Sequence, residues 1–79
     1  MSRNEYIGER ENLKGKRKAI LMEVKSHRDS LLSELSLVHG DAELHGEYIA
    51  VLGVKLNECL MELRGIDKQI AILTREIGD

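Results

Sequence analysis

The sequence predicts an all-α fold: an antiparallel two-helix hairpin of coiled-coil type that assembles with a second copy into a four-helix-bundle dimer. Three observations carry this reading. The second half of the chain repeats apolar residues in alternating steps of three and four. The composition is that of long helices, rich in Leu, Ile, Glu, Lys and Arg and without Pro, Trp or Phe. A glycine-bearing break at Val38-His39-Gly40-Asp41-Ala42-Glu43 divides the 79 residues into arms of nearly equal length.

The first arm opens on Ser2-Arg3-Asn4-Glu5, which fits a capping box and starts a helix almost at once. Leu13, Ile20, Val24, Leu31, Leu35 and Val38 follow helical spacing, with Tyr6 and Ile7 one or two turns earlier. Arg17 and His27 fall in that row at places where an apolar residue is expected, so this helix is the less regular of the two. It is expected over residues 3–38. Gly40 can then adopt the left-handed conformation that closes a helix, and Asp41 can cap the next one, which gives a turn at 39–41. An alternative extends the turn to Gly46. The second helix, expected over 42–77, carries the clearer signal. Ile49, Leu52, Leu56, Cys59, Leu63, Ile66, Ile70, Leu73 and Ile77 form a heptad seam with no polar interruption.

A reversal at residue 40 makes residues whose numbers sum to about 80 face one another. Leu31 then meets Ile49, Val24 meets Leu56, Ile20 meets Cys59 and Leu13 meets Ile66, while Lys18 reaches Glu62 and Lys14 reaches Asp67. Charge agrees with the pairing. Residues 1–40 hold eight Lys/Arg against six Asp/Glu, and residues 41–79 hold four against eight, so the arms attract one another. In this register His27 lies opposite Gly53, which predicts an imidazole at the core edge filling the notch that glycine leaves.

The same facts bound the function. One domain at most fits this length, near the lower limit for unaided folding. The single cysteine, Cys59, allows no internal disulfide and fits a reducing compartment. The charged N-terminal residues are unlike a signal peptide, and no apolar run approaches the roughly 20 residues that cross a bilayer. A cytoplasmic protein without membrane contact is expected. Cys59 reads as a small seam hydrophobe, and His39, Asp41, Glu43 and His45 read as solvated turn residues. No catalytic, metal-binding or cofactor-binding residue is therefore assigned, and a two-helix layer has no enclosed pocket in which to run a reaction.

Two helices touching along one stripe leave their outer faces wet, and those faces are not polar enough to stay that way. Val51, Val54, Met61 and Ile72 on the second arm, with Met22 and Leu32 on the first, lie off the seam and are assigned to partner binding. The expected function is a non-enzymatic protein–protein interaction module, an adaptor, chaperone or regulator, that pairs with itself and with a further protein. The alternative is a nucleic-acid-binding regulator using the basic face of Arg10, Lys14, Lys16, Arg17 and Lys18. That alternative expects salt-dependent retention on RNA or DNA.

Overall fold

A computed structural model describes residues 2–78. Two α-helices of 32 residues each run antiparallel, α1 at Arg3–Glu34 and α2 at Gly46–Ile77. They are joined by a connector that contains a single 3-10 turn at Asp41–Glu43. The result is a rod 58 × 15 × 14 Å, close to the roughly 54 Å expected for 36-residue arms at 1.5 Å per residue.

The start of α1 follows the capping signal: the Ser2 hydroxyl accepts the Glu5 N–H at 3.2 Å. Its end departs from the expected residue 38. Helical hydrogen bonding stops at Leu35, whose N–H still reaches the Leu31 carbonyl at 3.0 Å. Ser36 then offers competing partners: its hydroxyl takes the Val38 N–H at 3.3 Å and its carbonyl takes the His39 N–H at 3.1 Å. A serine that satisfies nearby backbone in this way draws the chain out of the helix. Gly40 is extended, with φ −69° and ψ 152°, instead of left-handed. Asp41 makes no side-chain cap and sits in the 3-10 turn. The second helix therefore begins at Gly46, not at 42, and the connector matches the longer of the two turns considered. The left-handed glycine lies elsewhere, at Gly78, with φ 87°. Its N–H closes α2 onto the Thr74 and Arg75 carbonyls.

Packing runs along a single interface. Leu13 and Ile20 of α1 and Cys59, Ile66 and Leu73 of α2 form the core, with Tyr6, Val24, Leu63 and Ile70 packed against it. All nine seam positions foreseen on α2 are buried or half-buried. On α1 the true seam is Tyr6, Arg10, Leu13, Arg17, Ile20, Val24, His27, Leu31 and Glu34, again in steps of three and four. Leu35 and Val38, expected to continue it, are exposed because the helix has ended.

Cross-helix contacts fix the register. Arg3 reaches the Ile77 carbonyl, Arg10 reaches Thr74, Arg17 reaches Asp67, Cys59 reaches Glu23 and His45 reaches Glu34. This ladder keeps the expected alignment to within about one helical turn. The charge partners differ from expectation, however. Asp67 is held by Arg17 at 2.6 Å and not by Lys14, which turns to Glu11 on its own helix, and Lys18 stays exposed. Arg17 wins because it lies on the seam row facing α2, whereas Lys14, one turn earlier, lies off it and exposed.

The rod is thin for its mass. Its radius of gyration is 17.7 Å, against about 12 Å for a compact domain of this length. Its accessible surface is 5957 Å², against about 4,800 Å² for a typical monomer of 8.9 kDa. Among the described residues no side chain is wholly removed from solvent; even the core residues keep 5 to 8% of their surface. No helix is long and apolar enough to cross a membrane among these residues.

Candidate functional site

Two regions combine exposure or chemistry beyond what the hairpin needs for its own folding: the outer face of α2, and a polar knot inside the seam.

On α2, Val51, Val54, Met61 and Ile72 are 49%, 58%, 59% and 53% exposed. Helical geometry at 100° per residue puts them on one stripe, turned away from the seam. The full stripe, in steps of three and four, reads Val51, Val54, Glu58, Met61, Gly65, Lys68, Ile72, Arg75. Nothing lies within 4 Å of where a Gly65 side chain would begin, so this glycine answers to no neighbour inside the hairpin. A surface groove at one end of the stripe is walled by Ala50, Val51, Val54, Lys55 and Glu58. Met22 and Leu32, the two partner-binding residues foreseen on α1, are equally exposed. They point roughly 80° apart around their own helix and do not join the α2 stripe. The connector adds Leu37 and Val38, both almost fully exposed, beyond the end of α1.

The five basic residues of α1 do not form one face. Arg10 and Arg17 sit on the seam, half-buried and engaged with Thr74 and Asp67. Lys14 pairs with Glu11 at 3.3 Å. Lys16 and Lys18 remain exposed, and five charges expected to act together are thus split by the register.

The polar knot centres on His27. It does not fill a notch at Gly53, where the position of an added Cβ has nothing within 4 Å. Instead it lies one turn after Glu23 on α1, and both face Cys59 of α2. The donor atoms of Glu23, His27 and Cys59 all lie within 4.8 Å of one another. The Cys59 thiol donates to the Glu23 carboxylate at 3.5 Å. Burial pushes that thiol above its ordinary pKa, the Glu23 hydrogen bond and charge raise it further, and Glu62 and Glu58 add to the rise. A protonated thiol among carboxylates is a poor nucleophile. The sequence marked His27 as a polar residue in an apolar row, but bringing it to Cys59 required the cross-helix register to one residue.

The turn residues His39, Asp41, Glu43 and His45 do not converge. Among the described residues, Glu23, His27 and Cys59 are the one set of three such donors drawn together. His45 instead places its Nδ1 at 3.1 Å from Glu34.

Comparison with protein-family models, with curated proteins and with solved structures finds no match to this chain.

Proposed function

We propose that this hairpin is a protein–protein interaction module whose first partner is a second copy of itself, docked through the outer stripe of α2. The observation that carries the reading is the order of residues on that stripe, which is complementary to its own reverse at its three inner pairs. A two-fold axis between the two α2 helices at the level of residue 63, with the helices antiparallel, sets Val54 against the partner copy's position 72, an isoleucine. It also sets Met61 against a glycine and Glu58 against a lysine. In these three pairs apolar meets apolar, a long apolar side chain meets the position with no side chain, and opposite charges meet; the outermost pair, Val51 against the partner copy's position 75, sets an arginine stem over a valine with its charge at the edge of the contact. An isologous interface needs this self-complementarity. Because the stripe is turned away from the seam, the resulting unit is a single layer of four helices in the order α1–α2–α2–α1, with α2 inside and the more polar α1 outside, in place of the four-helix bundle expected from the sequence.

Surface area supports the same conclusion. The excess over a compact monomer is about 1,100 Å², comparable to the roughly 800 Å² that each partner buries in a standard interface. The nucleic-acid alternative has less behind it, since Arg10 and Arg17 are occupied within the hairpin and base-stacking aromatics are absent beside Lys16 and Lys18.

Sedimentation equilibrium over a concentration series tests the proposal. A mass of two chains at tens of micromolar is expected, with helicity falling as dimer dissociates. Glu58→Lys alone and Lys68→Glu alone should each weaken association about tenfold or more by placing like charges together, and the double exchange should restore it. A fully helical monomer across the series, or a double exchange no better than either single variant, overturns the reading.

A further inference from the structure

We propose that Glu23, His27 and Cys59 form a transition-metal site that clips α1 to α2, and that it takes a borderline divalent cation of the zinc class. This inference is independent of the self-association proposed above, because the three residues belong to the seam side of the hairpin and not to the outer stripe of α2.

Geometry comes first. Glu23 and His27 are four residues apart on α1, the spacing that puts two side chains on one side of a helix, one turn apart. Cys59 enters from α2, so the donors come from both arms. All three donor atoms already lie within 4.8 Å of one another, and Sγ is 3.5 Å from the Glu23 carboxylate. Zinc–ligand bonds of about 2.0–2.3 Å place tetrahedral donors roughly 3.3–3.8 Å apart. The remaining gap of about 1 Å closes by side-chain rotation, since Glu23 is exposed and His27 half-buried while Cys59 stays fixed in the core.

Donor chemistry selects the ion. Thiolate, imidazole and carboxylate together suit zinc and its neighbours, whereas magnesium and calcium require oxygen ligands alone. Three protein ligands leave a fourth tetrahedral position to water. On binding, the Cys59 Sγ–H bond breaks, the proton passes to solvent and the thiolate electron pair goes to the metal. Thiolate and carboxylate then balance the two charges of the cation around a neutral imidazole. Glu58 and Glu62, which also act on Cys59 through their charge, extend the negative field that draws a cation in.

The fold supplies a reason for such a clip. This short chain has no disulfide and only a thin core, and metal bound across two elements is a common support for domains of this size. The site also accounts for His27, an imidazole at a seam position where an apolar side chain would pack better.

Cobalt(II) serves as the probe, added to the full-length chain under anaerobic, reducing conditions after treatment with a chelator. One ion per chain should bind, with a sulfur-to-cobalt charge-transfer band in the near ultraviolet and the visible intensity of a four-coordinate centre. Zinc(II) should displace it and raise the thermal midpoint. Cys59→Ser should abolish the charge-transfer band, and His27→Gln and Glu23→Gln should each weaken binding about tenfold or more. A control variant, His39→Gln with His45→Gln, should bind as the parent does. Circular dichroism of each metal-free variant checks that the helices persist. Because Glu23 is exposed and His27 only half-buried, those two variants keep the test valid if Cys59→Ser unfolds. No charge-transfer band in the parent, a band unchanged by His27→Gln, or binding lost only in the turn-histidine variant overturns the proposal.

Discussion

Arg17 shows how one side chain can satisfy two demands. It occupies a seam position, where its aliphatic stem covers apolar neighbours, while its guanidinium reaches out to Asp67 at 2.6 Å. Both partners are substantially exposed, 40% and 47% by side chain, so the ion pair itself contributes little, well under 1 kcal/mol. The packing of the stem matters more. Arg17→Leu should therefore stabilise the hairpin by about 1 kcal/mol by extending the apolar row, whereas Asp67→Ala should change little. Urea unfolding of the two variants measures both effects, and a larger loss from Asp67→Ala than gain from Arg17→Leu would reverse this ranking. The same residue marks a limit of sequence reading. Its place in the row was visible from spacing alone, but its partner was assigned to Lys14, because a shift of three residues, one helical turn, in facing position decides which cation reaches Asp67.

At the level of helices, the whole buried seam of α2 was legible, though not its first residue, and that of α1 was not, for a physical reason. Every seam position of α2 is apolar, so periodicity alone defines the buried face. On α1, four seam positions carry Arg10, Arg17, His27 and Glu34, and their burial depends on what α2 sets opposite them. The connector was misread in the same way. Gly40 and Asp41 are strong local signals for a cap, yet Ser36 ends α1 earlier by bonding its own neighbours, and α2 waits until Gly46. Glycines inside the helices give a direct test of element stability. Gly15 lies mid-helix with open space where a side chain would start, so Gly15→Ala should stabilise by about 0.5–1 kcal/mol. A thermal midpoint that falls in this variant would indicate a contact at Gly15 that the hairpin alone does not contain. Gly65 is equally open within one chain, but it is the position on which a second copy's methionine is proposed to rest. Gly65→Leu should disturb no contact within one hairpin and reduce its association, with helicity at a given concentration falling accordingly.

For the molecule as a whole, the fold class, the direction of packing and nearly all of the apolar core followed from pattern and charge. The donor set of Glu23, His27 and Cys59 did not, since it exists only where two rows with separate periodicities cross. Nor did the order of the outer stripe, whose meaning appears only when the stripe is compared with its own reverse. One further property follows from the Arg3 contact with the Ile77 carbonyl at 3.4 Å. The start of α1 and the end of α2 lie at the same pole of the rod, while Leu37 and Val38 sit at the other, almost fully exposed and outside either helix. A linker of a few residues is enough to join the ends, and a cut between Leu37 and Val38 reopens the ring without breaking a helical turn. Such a circular permutant exchanges the connector for a seal at the opposite pole. It should fold to the same helix content by circular dichroism, and whatever adjoins Ser2 and Gly78 would be carried side by side on one tip.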